Sequence, residues 1–354
     1  MYKNNIQKKR EERKCRILGH IVHEYVSTAM PISSKVVARK MRSNISSATV
    51  RNVMAELEEE GFIVQPHTSA GRIPTNSGYR RYVEMIKDRM RFEKEKARCL
   101  AAEYTLRIRT VREVIERTSY LISRELHNAG VVMWPNIEDC YLKHLELVKI
   151  KAETILAVLI TVTNDVRNHI VRLDRDLKKT ELERISSYIN ANYEHSTFSH
   201  ISEDLRQMIG SPPGGEKGEI LDIARTALKV VDAIVEENIE NDVFWEGLNY
   251  FMQRDGSRDL DLTRKVLQIF SNRDNLIRLM REELPYRGIR FYIGEDSRGI
   301  LRECSLITCG YTFHGRTAGR IGVIGPTRMD YDNVLGTVRC LSGLISAKLE
   351  EINT

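Results

Sequence analysis

Residues 46–75 read SSATVRNVMAELEEEGFIVQPHTSAGRIPT, a helix signal followed at once by a short hairpin signal. Val50, Val53, Met54 and Leu57 stand at i, i+3, i+4 and i+7, so they line one face that must pack on something behind it. At about 100° per residue, Ala48, Asn52 and Ala55 point away from that core, with Thr49 and Arg51 on the flanks. Ser46 is placed to cap the first turn, where backbone N–H groups lack helical partners, and Gly61 ends the helix. Beyond it, Phe62 to Val64 and Arg72 to Pro74 flank a polar tip running from Gln65 to Gly71. Apolar residues around a tip containing Gly and Pro predict a two-stranded hairpin.

Working outward, Ile17, Leu18, Ile21, Val22 and Tyr25 mark a first helix, and Ser34 to Met41 a shorter second one with Val36, Val37 and Met41 as its apolar residues. Residues 42–45 form the turn. Thr75 or Asn76 caps a fourth helix whose stripe is Tyr79, Tyr82, Val83 and Ile86. Three helices and a hairpin in that order are a winged helix-turn-helix over residues 1–90, and its expected ligand is double-stranded DNA. In such a module the last helix enters the major groove while phosphate contacts fix its register. Ser47, Ala48 and Thr49 are small enough to let the helix start sink in; Arg51 suits bidentate reading of guanine and Asn52 of adenine. His67, Thr68, Ser69 and the Gly71 N–H suit phosphates, and Arg72 is expected to reach an adjacent minor groove. Charge agrees: residues 1–91 carry 18 Lys and Arg against 9 Asp and Glu, whereas the whole chain has 55 against 49. The basicity is concentrated where the motif is.

At 354 residues the chain has room for two or three domains, and its composition is that of a globular protein. The start, MYKNNIQKKREERK, is too charged for a secretory core, and the longest apolar run, Ile155 to Ile160, is too short to span a bilayer. The expected location is the cytoplasm, with no membrane partner. Cys15, Cys99, Cys140, Cys304, Cys309 and Cys340 include no C-x-x-C pair, which predicts neither a zinc site nor a disulfide framework. His20 and His23 share a helix face without accompanying ligands, so no metal is expected. No nucleophile elbow or other catalytic signature is present, so no enzyme is predicted.

Between Phe92 and Ala129, apolar residues from Leu100 to Leu126 recur every three or four positions, predicting one long helix closed by Gly130. Strands are expected at Leu145 to Ile150, Thr154 to Thr163 and Val166 to Leu173. A helical region follows from Lys178 to Leu284, interrupted by the loop GSPPGGEKG at 210–218. Strands resume at Ile289 to Ile293, Ser305 to Phe313 and Gly319 to Ile324, before a last helix from Tyr331 to Ile352. Strands on both sides of a helical block suggest one α+β domain whose sheet is completed late, with a second module inserted between its halves. Gly319, Gly322 and Gly325 form G-x-x-G-x-x-G, which is not a dinucleotide fingerprint; they read as strand and turn glycines.

With QPHTSAGRIPT at 65–75 and GRIGVIGPTRMDY at 319–331, the chain resembles the heat-inducible transcription repressor family HrcA. The resemblance extends to SSATVRNVMAELEEEGFI at 46–63, GYRRYV at 78–83 and CSLITCGY at 304–311, in the family's order. It implies an N-terminal winged helix, a GAF-like domain in two halves (91–195 and 285–354) and an inserted, mostly helical dimerisation domain between them (196–284). It also implies a homodimer that represses chaperone operons at an inverted-repeat operator, CIRCE, is kept active by the chaperonin GroEL, and uses no small-molecule cofactor. Ser33 stands where many relatives carry Gly. Two other functional classes would leave different traces. A metabolite-responsive regulator would need a concave effector pocket in the GAF-like domain, where the strands at 154–163 and 319–324 read as packed core. A nucleic-acid enzyme would need an acidic cluster or a nucleotide loop.

Overall fold

The computed structural model describes residues 2–41, 45–87, 94–104, 108–135, 140–162, 165–210, 218–237, 243–249, 267–268, 273–294, 304–313 and 315–352. Most of the expected turn at 42–45 and of the loop at 210–218 lies outside them. The chain begins with α1 (Tyr2–Thr28), α2 (Ser34–Lys40) and α3 (Ser47–Glu59). Ser33 caps α2, its hydroxyl facing the Val36 N–H at 3.5 Å. Next come β1 (Ile63–Val64), β2 (Ile73–Pro74) and α4 (Asn76–Ile86). The two strands pair antiparallel, Ile63 with Pro74 and Val64 with Ile73. The start of α4 closes against the chain entering β1 because Gly78 has no side chain: a Cβ there would sit 2.0 Å from the Phe62 carbonyl oxygen.

The central body is a five-stranded antiparallel sheet in the order β7-β3-β10-β9-β8, built from β3 (Ala129–Met133), β7 (Val243–Glu246), β8 (Ile289–Ile293), β9 (Cys304–Phe313) and β10 (Arg316–Pro326). One face carries α6 (Val111–Leu126) and α11 (Tyr331–Ile352), through Val132, Ile307, Tyr311, Ile321 and Val323. The other carries α10 (Arg273–Glu282), whose Leu276, Ile277 and Met280 pack on Val131, Leu306 and Ile324. With both faces covered, β3 and β10 are buried almost throughout instead of alternating. The fully buried Arg320 fastens the end of α10 to this sheet: its guanidinium donates to the carbonyls of Glu283, Tyr286 and Gly288 and to Thr308 Oγ1. Burial lowers its pKa, and the ring of carbonyls holds the charge.

A second, three-stranded sheet stands apart, in the order β4-β5-β6: β4 (Leu142–Lys151), β5 (Thr154–Thr161) and β6 (Val166–Arg172). Its inner face packs on α7 (Lys179–Tyr193), α8 (Phe198–Gly210) and α9 (Gly218–Glu237), forming a core separate from that of the body. Asn190 on α7 grips β4, its Oδ1 accepting from the Leu145 N–H at 2.8 Å and its Nδ2 donating to the Leu145 carbonyl at 2.9 Å.

Three expectations change. The helix predicted over 92–129 is two, α5 (Lys94–Tyr104) and α6, because Thr110 and Glu113 form a capping box that starts a new helix. Gly130 does not close α6; His127, with φ of 51°, does, and Gly130 lies in β3 so near α6 that a Cβ would be 2.5 Å from the Ser119 carbonyl oxygen. The third concerns topology: the sheet completed late takes β3, β7 and the final strands, whereas the strands at 142–172 belong to the inserted module. Of the strands in residues 91–195 only β3 joins those of 285–354, while β4, β5 and β6 form a sheet of their own, and the strand Val243–Glu246 interrupts the region expected to be helical. The glycines at 319, 322 and 325 do lie in a strand, where Cβ atoms at Gly319 and Gly322 would strike the Tyr311 ring and the Ile307 carbonyl. Among the described residues, no helix is long and apolar enough to cross a membrane.

Candidate nucleic-acid interface

The start of α3 is fixed by Ser46, whose hydroxyl accepts from the Thr49 N–H at 3.1 Å. Val50, Val53, Met54 and Leu57 are buried as their spacing requires. That leaves Ser47, Ala48, Arg51 and Asn52 exposed on the opposite face, with Thr49 half-buried beside Ser46. At the hairpin tip His67, Thr68 and Ser69 are exposed as well. The helix start thus presents two base-competent side chains and small neighbours, while the tip presents hydroxyls and an imidazole suited to phosphate oxygens.

Gly71 and Arg72 are placed differently from the expectation. Gly71 is half-buried against the loop before α2, where a Cβ would lie 2.5 Å from the Ile32 backbone. Arg72 exchanges two backbone hydrogen bonds with Ile32, each 2.9 Å, and its guanidinium donates to Glu58 Oε2 from Nε at 2.9 Å and from Nη2 at 2.8 Å. Its side chain is therefore bonded within the module, to α3. Sequence reading also passed over Glu58 and Gln65. Gln65 Nε2 donates to the carbonyls of Thr68 and Ala70 at 3.0 and 2.9 Å, closing the tip from within.

Charge along α3 is polarised. Its acidic C-terminal half is answered by α1: Arg10 donates to Glu56 at 2.7 Å, and Lys14 reaches Glu60 at 2.5 Å and Glu56 at 3.3 Å. The hydrogen bond from Arg10 holds the Glu56 carboxyl below its usual range, and the bond to Glu60 raises Lys14. Part of the basic surplus of the N-terminal region thus neutralises α3 itself. The exposed Arg51 end is the cationic end.

The module is joined firmly to the body. Its apolar residues from Ile17 to Val83 belong to the same buried cluster as Val114, Tyr311, Tyr331 and Leu341. Tyr79 packs on Tyr331 with ring centroids 5.6 Å apart, the Tyr82 hydroxyl donates to the Asp332 carboxylate, and Arg328 donates to the Val26 carbonyl at 3.0 Å. Burial pushes both phenols upward, so both stay protonated; the Tyr82 hydroxyl is the donor to Asp332, while the Tyr79 hydroxyl is buried with no hydrogen-bond partner among the described residues.

The chain matches solved and curated proteins over nearly its full length. A crystal structure of a protein described as hypothetical shares this fold, with a TM-score of 0.62 at 22% identity, covering 96% of this chain and 98% of that one. Proteins named heat-inducible transcription repressor HrcA are similar throughout: that of Syntrophobacter fumaroxidans is 33% identical over 95% of this chain and 96% of its own length. The one from Pelotomaculum thermopropionicum is 32% identical over 97% and 98%, and the one from Laribacter hongkongensis 33% over 96% and 95%. The family model described as the HrcA protein C terminal domain matches residues 112–335, which span the central sheet and the inserted module. The chain belongs to the HrcA family of heat-inducible transcription repressors.

Proposed function

We propose that this protein represses heat-shock chaperone operons by binding, as a homodimer, an inverted-repeat operator of the CIRCE type, with the chaperonin GroEL as the partner that keeps it active. The observation that carries the DNA-reading part is the pairing of an exposed α3 start with an exposed hairpin tip, in a module whose core is shared with the body. Residues 2–87 are the winged helix-turn-helix. Arg51 and Asn52 read base edges, Ser47, Ala48 and Thr49 let the helix approach, and His67, Thr68 and Ser69 hold phosphates. Gly71 and Arg72 support the tip from inside the module.

The body formed by 94–135 and 243–352 is the GAF-like domain, and residues 140–237 are the inserted dimerisation domain. What supports dimerisation is the outer face of β4-β5-β6. Val148, Ile150, Val166 and Ile170 are all exposed there, and the register sets Val148, Leu156 and Ile170 side by side. A sheet face of this kind calls for a partner, and a second copy related by a two-fold axis matches a palindromic operator. GroEL rests on family membership alone.

The test is a footprint on a promoter fragment carrying the inverted repeat, with and without chaperonin, across temperature and salt. Two protected half-sites a whole number of turns of about 10.5 bp apart are expected, with stronger protection when chaperonin is present. Protection of one half-site, or none, contradicts the reading.

A further inference from the structure

The hairpin of the N-terminal module is too short to hold itself in place. Its ladder has two residue pairs, and the loop between them runs from Gln65 to Arg72. An isolated two-stranded ribbon of that size is marginal in water. What fixes it is a carboxylate from the recognition helix. Glu58 Oε1 accepts the Gln65 backbone N–H at 3.0 Å where the chain leaves β1, and Glu58 Oε2 accepts both bonds from the Arg72 guanidinium where the chain returns. The ion pair is mostly shielded, with side-chain exposures of 31% for Glu58 and 19% for Arg72. From the far side, the Ile32 backbone holds Arg72, and Gly71 lets that loop close in.

We infer that Glu58 is a positioning residue for operator recognition: it clamps both ends of the hairpin tip to α3, and so sets the distance between the phosphate-holding tip and the base-reading face two turns earlier on the same helix. This rests on the DNA-reading role proposed above. Arg72 is the cation of the clamp, not a phosphate contact. Its planar fork, donating from Nε and Nη2 to one oxygen, is a geometry lysine cannot reproduce.

The clamp and a plain electrostatic reading differ in sign. Glu58 is an anion on a module facing phosphates, so charge alone says that removing it strengthens DNA binding. The clamp says that removing it weakens operator binding, because the tip loses its register with the helix.

The test is a fluorescence-anisotropy titration of the full chain on an inverted-repeat duplex and on a scrambled duplex, between about 50 and 200 mM salt. Glu58→Gln is expected to weaken operator binding about tenfold, the size of one lost charge-assisted bond, while scrambled-duplex binding stays within about twofold. Arg72→Lys keeps the charge and is expected to lose as much, with an unchanged salt slope; the double variant loses no more than either single one. Glu58→Gln binding the operator as well as or better than the wild type overturns the clamp, as does Arg72→Lys matching the wild type. If thermal melting shows that Glu58→Gln does not fold, Arg72→Lys decides alone. A wild-type chain with no preference for the inverted repeat overturns the DNA-reading proposal itself, and the clamp with it.

Discussion

The N-terminal module and the inserted module are attached to the central sheet in opposite ways. The first has no core of its own: Ile17, Val50, Leu57 and Val83 form one buried cluster with Tyr311, Tyr331 and Leu341 of the body. The second is self-contained, with Leu145, Ile155, Ile189, Phe198 and Val230 in a separate core. Its junction with the body includes Trp134, stacked between Arg112 of α6 and Arg167 of β6, each guanidinium 5.4 Å from the ring centroid. A shared core transmits strain because packed interiors have little free volume to absorb it. A disturbance of the body is therefore expected to reach α3, and one within the inserted module to stay there.

The largest expected effect breaks this contrast if it is wrong. Tyr331→Ala and Phe198→Ala each remove a fully buried aromatic ring and should each cost about 4 kcal/mol. Their reach should differ. By hydrogen exchange, Tyr331→Ala is expected to lower protection in α3 and in β9–β10 together, and Phe198→Ala to lower it within 142–235 only. Protection in α3 unchanged by Tyr331→Ala would show that the module stands alone. A somewhat smaller effect sharpens the other half of the comparison. Ile170 lies on the outer face of β6, so Ile170→Asp should leave the melting temperature of the monomer nearly unchanged and weaken self-association about a hundredfold by sedimentation. A dimer that survives this change dimerises elsewhere.

The same two regions differ in how far their sequences could be read. In the N-terminal module the deciding signals are local: the spacing of Val50, Val53, Met54 and Leu57, the Ser46 cap and the hairpin punctuation all act within a few residues, and the structure follows them. What escaped was Glu58 with Arg72, because an ion pair spanning fourteen residues leaves no periodic trace. With that pair unseen, Arg72 reads as a groove contact, whereas its guanidinium is bonded to Glu58. In the body and the insert, β4, β5, β6, β8, β9 and β10 were found close to their places, but β3 and β7 were missed and the strands' partners were not legible. Alternation marks a strand and its buried face, not the sheet it joins, and β3 pairs with β10 almost two hundred residues later. The break between α5 and α6 was legible as Thr110-x-x-Glu113, yet the apolar spacing of threes and fours runs on through it and masked the signal.

The central claim is that the exposed start of α3 reads the operator, and Asn52 tests it most directly. Binding of the wild type and of Asn52→Ala should be titrated on the inverted repeat and on a scrambled duplex at one salt concentration. The account predicts that Asn52→Ala loses about 1–3 kcal/mol on the inverted repeat and nothing on the scrambled duplex. An equal loss on both, or no loss on either, contradicts it.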